Sequence, residues 1–152
     1  MVDKISLEPT TNAKAIEDSL SRVVDYLRIK IAEKAVRKAQ EPVLAATRAN
    51  LARVQSSEAT GGLLSSLMIK VWSGAGSSNT TAMVGGQYPG GQHLHLVEFG
   101  HEPSGWYASG DRVPGKEFLA PAVDANKGRQ QSVLIAELKK GVEQALKQGG
   151  GV

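Results

Sequence analysis

An apolar stripe through the first third of the chain restricts the fold more than any other feature. Ile16, Leu20, Val23, Leu27 and Ile31 recur at steps of three and four, the spacing that puts side chains on one face of an α-helix. Thr11 or Asn12 can cap its start by accepting a backbone N–H bond. The stripe continues through Ala35 and Ala39 and then meets Pro42. Proline lacks the N–H that a helix interior uses, so a kink or a break is expected near Gln40. Helix resumes over 42–54, where a proline in the first turn costs nothing.

The rest of the chain supplies the surfaces such a helix could cover. "SSEATGG" stops the helix, and "LLSSLMIKVW" passes from a short turn into a strand at about Leu67. "TTAMVGG" reads as its partner across the loop "GAGSSN", and "HLHLVEF" as a third strand by its alternation. "QYPGGQ" between them is a turn. Residues 100–117, with Pro103, Gly105, Gly110 and Pro114, form a long loop. From Phe118 to about Lys147 the pattern is helical again, with Val123, Leu134, Ile135, Leu138, Val142 and Leu146 as the expected buried face.

This order predicts an α+β fold in two layers: a long N-terminal helix, a small antiparallel sheet of three to four strands, and a C-terminal helix packed on it. Residues 1–152 suit a single domain, with 1–12 an extended arm and 148–152 a flexible tail.

Composition narrows the function classes. The chain has no cysteine, which removes disulfides and thiolate metal sites. A net charge of +3 is too mild to announce nucleic-acid binding. The cations are uneven, however, with Arg28, Lys30, Lys34, Arg37 and Lys38 crowding one stretch. That cluster reads first as the solvated face of a helix and second as a DNA-facing surface, so a basic nucleic-acid-binding module is the alternative function. No apolar run has the roughly 18 residues a membrane span needs. The first residues lack the apolar core of a signal peptide, so the protein is expected to stay where it is made unless it leaves as part of something larger.

The histidines invite a metal reading. His93 and His95 would share one strand face while Glu98 points to the other, and His101 lies beyond Gly100. Three converging ligands are therefore not assembled, and no metal is expected. "GAGSSNTT" lacks the lysine of a phosphate loop, and no "GxSxG" elbow is present. The carboxylate pairs Glu98 and Glu102, or Asp111 and Glu117, sit in loop surroundings without an apolar setting. The reading is of a protein that is not an enzyme and carries no cofactor. Trp106 and Tyr107, adjacent aromatics in a long loop, are candidates for a partner interface or for folding back onto the core.

Three short stretches then line up in order. "TGGLLSSL" holds Thr60, Gly61 and Leu63; "HLVEFG" holds Val97, Glu98, Phe99 and Gly100; "EFLAPAVDANK" holds Phe118, Leu119 and Pro121. With the preceding "EPVLAATRAN" helix, the chain resembles, over roughly residues 35–147, tailed-phage morphogenesis proteins of the head–tail joint. These are the tail-completion or neck proteins of lambdoid siphophages.

The resemblance implies a small α+β subunit of the virion neck or tail. Such subunits form a homo-oligomeric ring, commonly a hexamer, in a tail-terminator-like role. The partners implied are neighbouring neck or connector, tail terminator or tail tube proteins, with DNA passing through the lumen. His101 replaces the threonine usual after VEFG, and no proline precedes the TG. Within this reading Ile16, Leu20, Val23, Leu27 and Ile31, with Trp106 and Tyr107, are the expected interface, and no membrane is involved.

Overall fold

The computed structural model describes residues 9–54, 61–74, 79–103 and 110–149, without the side chains of 9–13, 15–17, 19, 20, 23 and 148. The side chains of Ile16, Leu20 and Val23, and all of Thr60, Trp106 and Tyr107, therefore lie outside the described residues.

Helix α1 (Pro9–Val54) runs unbroken for 46 residues. It starts at Pro9, inside the stretch expected as an extended arm, because the fixed φ of proline suits a first helical position. It also continues through Pro42. Losing one backbone hydrogen bond and crowding the preceding turn costs about 3 kcal/mol. Here Ala39 and Val43 flank the proline at 6% and 1% exposure, so burial on both sides holds the helical course.

A short helix, α2 (Gly62–Ser66), follows Gly61, whose φ of 73° reverses the chain in a region that side chains disfavour. Strands β1 (Leu67–Ser73) and β2 (Thr80–Gly86) then pair antiparallel, from Leu67 opposite Gly86 to Ser73 opposite Thr80. Side chains alternate across this hairpin. Leu67, Ile69 and Val84 point inward and are buried, while Trp72 and Met83 on the other face are 47% and 49% exposed.

The third expected strand is instead a helix, α3 (Leu94–Phe99). Alternation made "HLHLVEF" look extended, but tertiary packing overrides it. On a helix Leu94, Val97 and Glu98 fall at i, i+3 and i+4 and share one face. Leu94 and Val97 pack there against the buried cluster of Leu51, Leu67 and Phe118. Two further residue pairs, β3 (Gly100–His101) and β4 (Val113–Pro114), make a second small antiparallel ladder within the long loop. Gly100 has φ 75°, and a Cβ there would collide with the Val113 carbonyl oxygen, so glycine is required.

The last helix, α4 (Leu119–Gly149), enters the segment expected as a flexible tail. It lies antiparallel along α1. Asn50 Nδ2 donates to the Phe118 carbonyl at 3.0 Å and Gln130 Nε2 donates to Gln40 Oε1 at 3.0 Å. Further along, Gly141 faces Ile31 so closely that a Cβ would stand 2.5 Å from its Cγ2.

The fold is thus α+β, with a long N-terminal helix, two antiparallel ladders of two strands, and a C-terminal helix. Its core has two parts. Val43, Ile69 and Val84 form one, Leu51, Leu67 and Phe118 the other, and Leu44 and Leu119 pack against both.

Candidate assembly surfaces

Glu98 is the most deliberately placed polar group in the described chain. It is 4% exposed, not solvated in a loop as its sequence setting suggested. Oε2 accepts the backbone N–H groups of Phe118 and Leu119 at 2.9 and 3.0 Å, and Oε1 accepts that of Ala120 at 3.0 Å. The first N–H groups of any helix lack partners within it. The carboxylate supplies three of them and sets a negative charge at the positive end of the α4 dipole. Every oxygen of Glu98 is spent on structure. One signal was visible in the sequence: Phe118, just ahead of Leu119, cannot cap a helix, so the cap had to come from elsewhere.

Two of the sequence motifs therefore meet. Glu98 and Gly100 form the end of α3, and Phe118, Leu119 and Pro121 form the start of α4. Phe118 is fully buried, and Leu119 and Val97 pack with it. Pro121 occupies the first turn of α4 as expected. Leu63 packs under the same cluster, pinning α2. Phe99, the motif's other aromatic, is 71% exposed.

The histidines separate. His93 precedes α3 and His95 lies within it, so the two do not share the face of a strand. His93 Nε2 is 3.1 Å from Gln92 Nε2. His101 Nδ1 is buried and has no hydrogen-bond partner among the described residues. No group of three or more potential ligands gathers around a common point among the described residues.

The basic cluster is largely engaged within the chain. Arg28 pairs with Asp25 at 3.2 Å, Lys30 with Glu33 at 3.6 Å and Lys38 with Glu41 at 2.8 Å. The Glu41 carboxylate raises the Lys38 pKa, chiefly through that hydrogen bond. Arg37 Nη1 donates to the Ile69 carbonyl at 3.4 Å, and Arg48 Nη2 to the Leu67 carbonyl at 2.9 Å. These two carbonyls are two residues apart and point to the same edge of β1, so the arginines shield that edge. Lys34 faces the α1–α4 groove.

Several large apolar side chains are also open to solvent. Ile31 is covered by α4, but Leu27, Tyr26 and Val24 are 41%, 59% and 62% exposed. The antiparallel pairing carries α4 to its end at Gly149 opposite residues near 22, so α1 projects past it by roughly 13 residues, or ~20 Å. On α4 the expected buried face is only partly covered: Leu134 is half-buried and lines a groove with Val36 and Ala39. Ile135, Val142 and Leu146 are 47%, 51% and 69% exposed. Val123 and Leu138 are also exposed. The face toward α1 is built around small positions, Ala122, Gly141 and Ala145, because the two backbones approach closely there.

No family model, curated protein or solved structure matches this chain. No helix among the described residues is long and apolar enough to cross a membrane.

Proposed function

We propose that this chain is a structural subunit that assembles with copies of itself into a closed ring at the head–tail joint of a tailed phage, and that it is not an enzyme. The projecting end of α1 carries this reading. The projecting end has no packing partner among the described residues of the chain, and helices in proteins owe most of their stability to the packing of an apolar face. This end gains stability once such a face is covered. Every described side chain from Lys14 to Arg28 is exposed.

Further support comes from the exposed Ile135, Val142 and Leu146 on α4 and Trp72 and Met83 on the hairpin. Exposed apolar patches of this kind mark contact surfaces. The motif order that resembles neck proteins supports a position at the virion joint, where connector, terminator or tube proteins would be neighbours. A nucleic-acid module built on Arg28, Lys30, Lys34, Arg37 and Lys38 has less support, since four of the five already hold partners within the chain. DNA passing through the ring is compatible with their charge.

Native mass of the purified full chain across a concentration range tests the proposal. A discrete closed oligomer is expected, and the chain should appear in purified particles at the neck. A monomer at every concentration that is absent from particles would refute it.

A further inference from the structure

Helix α4 is apolar on two opposite sides. One side packs along α1, where Gly141 meets Ile31. On the other, Ile135, Val142 and Leu146 fall within about 40° of one another at 3.6 residues per turn, and Leu138 lies beside them. All four are exposed. Lys139 and Glu143 border this outward row on one flank, and Leu134 and Ala145 border it on the other. Among the described residues neither Lys139 nor Glu143 has an ion-pair partner.

The row is symmetric about its own midpoint. Ile135 and Leu146 are its ends, Leu138 and Val142 its middle, and both pairs share a centre next to Lys140. A second copy of α4 turned end for end about that centre sets Ile135 beside Leu146 and Leu138 beside Val142, each to within ~1 Å along the axis. The same turn keeps the charged flanks of both helices on one side. Lys139 then lies ~2 Å along the axis from Glu143 of the second copy, against ~4 Å from that copy's Lys139. Opposite charges are the nearer neighbours, twice over. A parallel arrangement lacks this match, because it turns the charged flank onto Leu134 and Ala145, which offer no charge. The antiparallel overlap runs to the end of α4 at Gly149, roughly 18 residues or ~27 Å.

We propose that two copies of this chain pair antiparallel through the outward row of α4. Ile135 and Val142 of each copy rest on Leu146 and Leu138 of the other, and Lys139 pairs with Glu143 at two symmetric positions. The contact is isologous: one partner fills each copy's row, so it joins copies two by two. A ring closes through head-to-tail contacts on other surfaces, and α4 then joins ring to ring. The inference goes beyond the ring reading and does not depend on it.

The chain has no cysteine, which permits a clean test. Ile135→Cys and Leu146→Cys variants of the full chain are treated with a mild oxidant, alone and mixed, and native mass is read in parallel. The mixture should give a disulfide-linked dimer of one variant with the other. Either variant alone should not, because its two cysteines stand ~16 Å apart in the pair. Lys139→Glu exchanges two exposed ion pairs for two repulsions and should raise the dissociation constant of the pair on the order of tenfold. Adding Glu143→Lys should restore it. No dimer from the mixture, or equal dimer from each variant alone, overturns the antiparallel pairing. A charge reversal that the second substitution fails to restore overturns its register. Cross-linking without a ring in native mass sinks the ring reading and leaves the pairing, and a ring without cross-linking does the reverse.

Discussion

Glu98 Oε2 accepts the backbone N–H of Phe118, twenty positions further along the chain, at 2.9 Å. This contact joins the end of α3 to the start of α4, so the long loop between them is closed by a carboxylate as well as by the short β3–β4 ladder. Because Phe118 is fully buried in the same cluster that holds Leu51 and Leu67, the cap also fixes where α4 enters the core.

The first prediction concerns that cap. Replacing Glu98 with alanine leaves three buried or half-buried N–H groups unpaired and removes a charge from the helix N-terminus, which costs about 2–4 kcal/mol. Glu98→Gln keeps one acceptor oxygen but turns an amide NH2 toward a backbone N–H. It should recover less than half of the loss. Urea unfolding followed by circular dichroism measures both. Equal stability of Glu98→Gln and the natural chain would show that the charge contributes nothing.

A second test addresses the close crossing of α1 and α4. Gly141→Val places a Cβ 2.5 Å from Ile31 Cγ2, and the pair must separate at a cost of about 1–3 kcal/mol. Ile31→Ala should lower stability by itself. Combined with Gly141→Val it should lose less than the sum of the two, because the cavity left by one change accepts the other. Additive losses would mean that the helices do not meet at these positions.

Much of the architecture could be read from spacing, and its failures share a cause. The i, i+3, i+4 pattern identified both long helices, and the glycine- and proline-rich turns located the hairpin. Residues 94–99 misled because a six-residue segment offers too few positions to separate a period of two from a period of 3.6. Burial of Leu94, Val97 and Glu98 together settled that choice. On α4 Leu119 and Leu134 lie on the inward side, while Ile135, Val142 and Leu146 are exposed, because toward its end the helix meets α1 through Gly141 and Ala145, which carry no hydrophobic signal. Glu98 was visible as part of a motif. Its task was hidden, since Phe118 ahead of the helix shows that a cap is missing locally but not which distant residue supplies it.

Thr47 offers a third test, of the core itself. It is fully buried, and its hydroxyl has no hydrogen-bond partner among the described residues. A buried hydroxyl left unpaired is destabilising, and a methyl of similar size removes the penalty. Thr47→Val should therefore raise stability by about 1 kcal/mol, read as a higher urea midpoint with an unchanged slope. A fall in stability would indicate that the hydroxyl has a partner when the protein is in solution, such as a buried water.

The outward stripe of α4 gives the fourth prediction, which separates folding from assembly. Ile135, Val142 and Leu146 touch solvent over roughly half or more of their surfaces, so the folded monomer gains little from them. Changing all three to glutamine keeps strong helix formers in place of two β-branched residues and a leucine. Monomer stability should stay within about 1 kcal/mol of the natural chain, as surface substitutions generally do. If the stripe is a mating surface, the same variant should fall to a lower native mass, because the contact area removed is apolar and lies along one continuous helical face. Circular dichroism and native mass on the same sample report the two properties separately. An intact oligomer in the triple variant would assign this stripe to solvent and leave the projecting end of α1 to hold the subunits together.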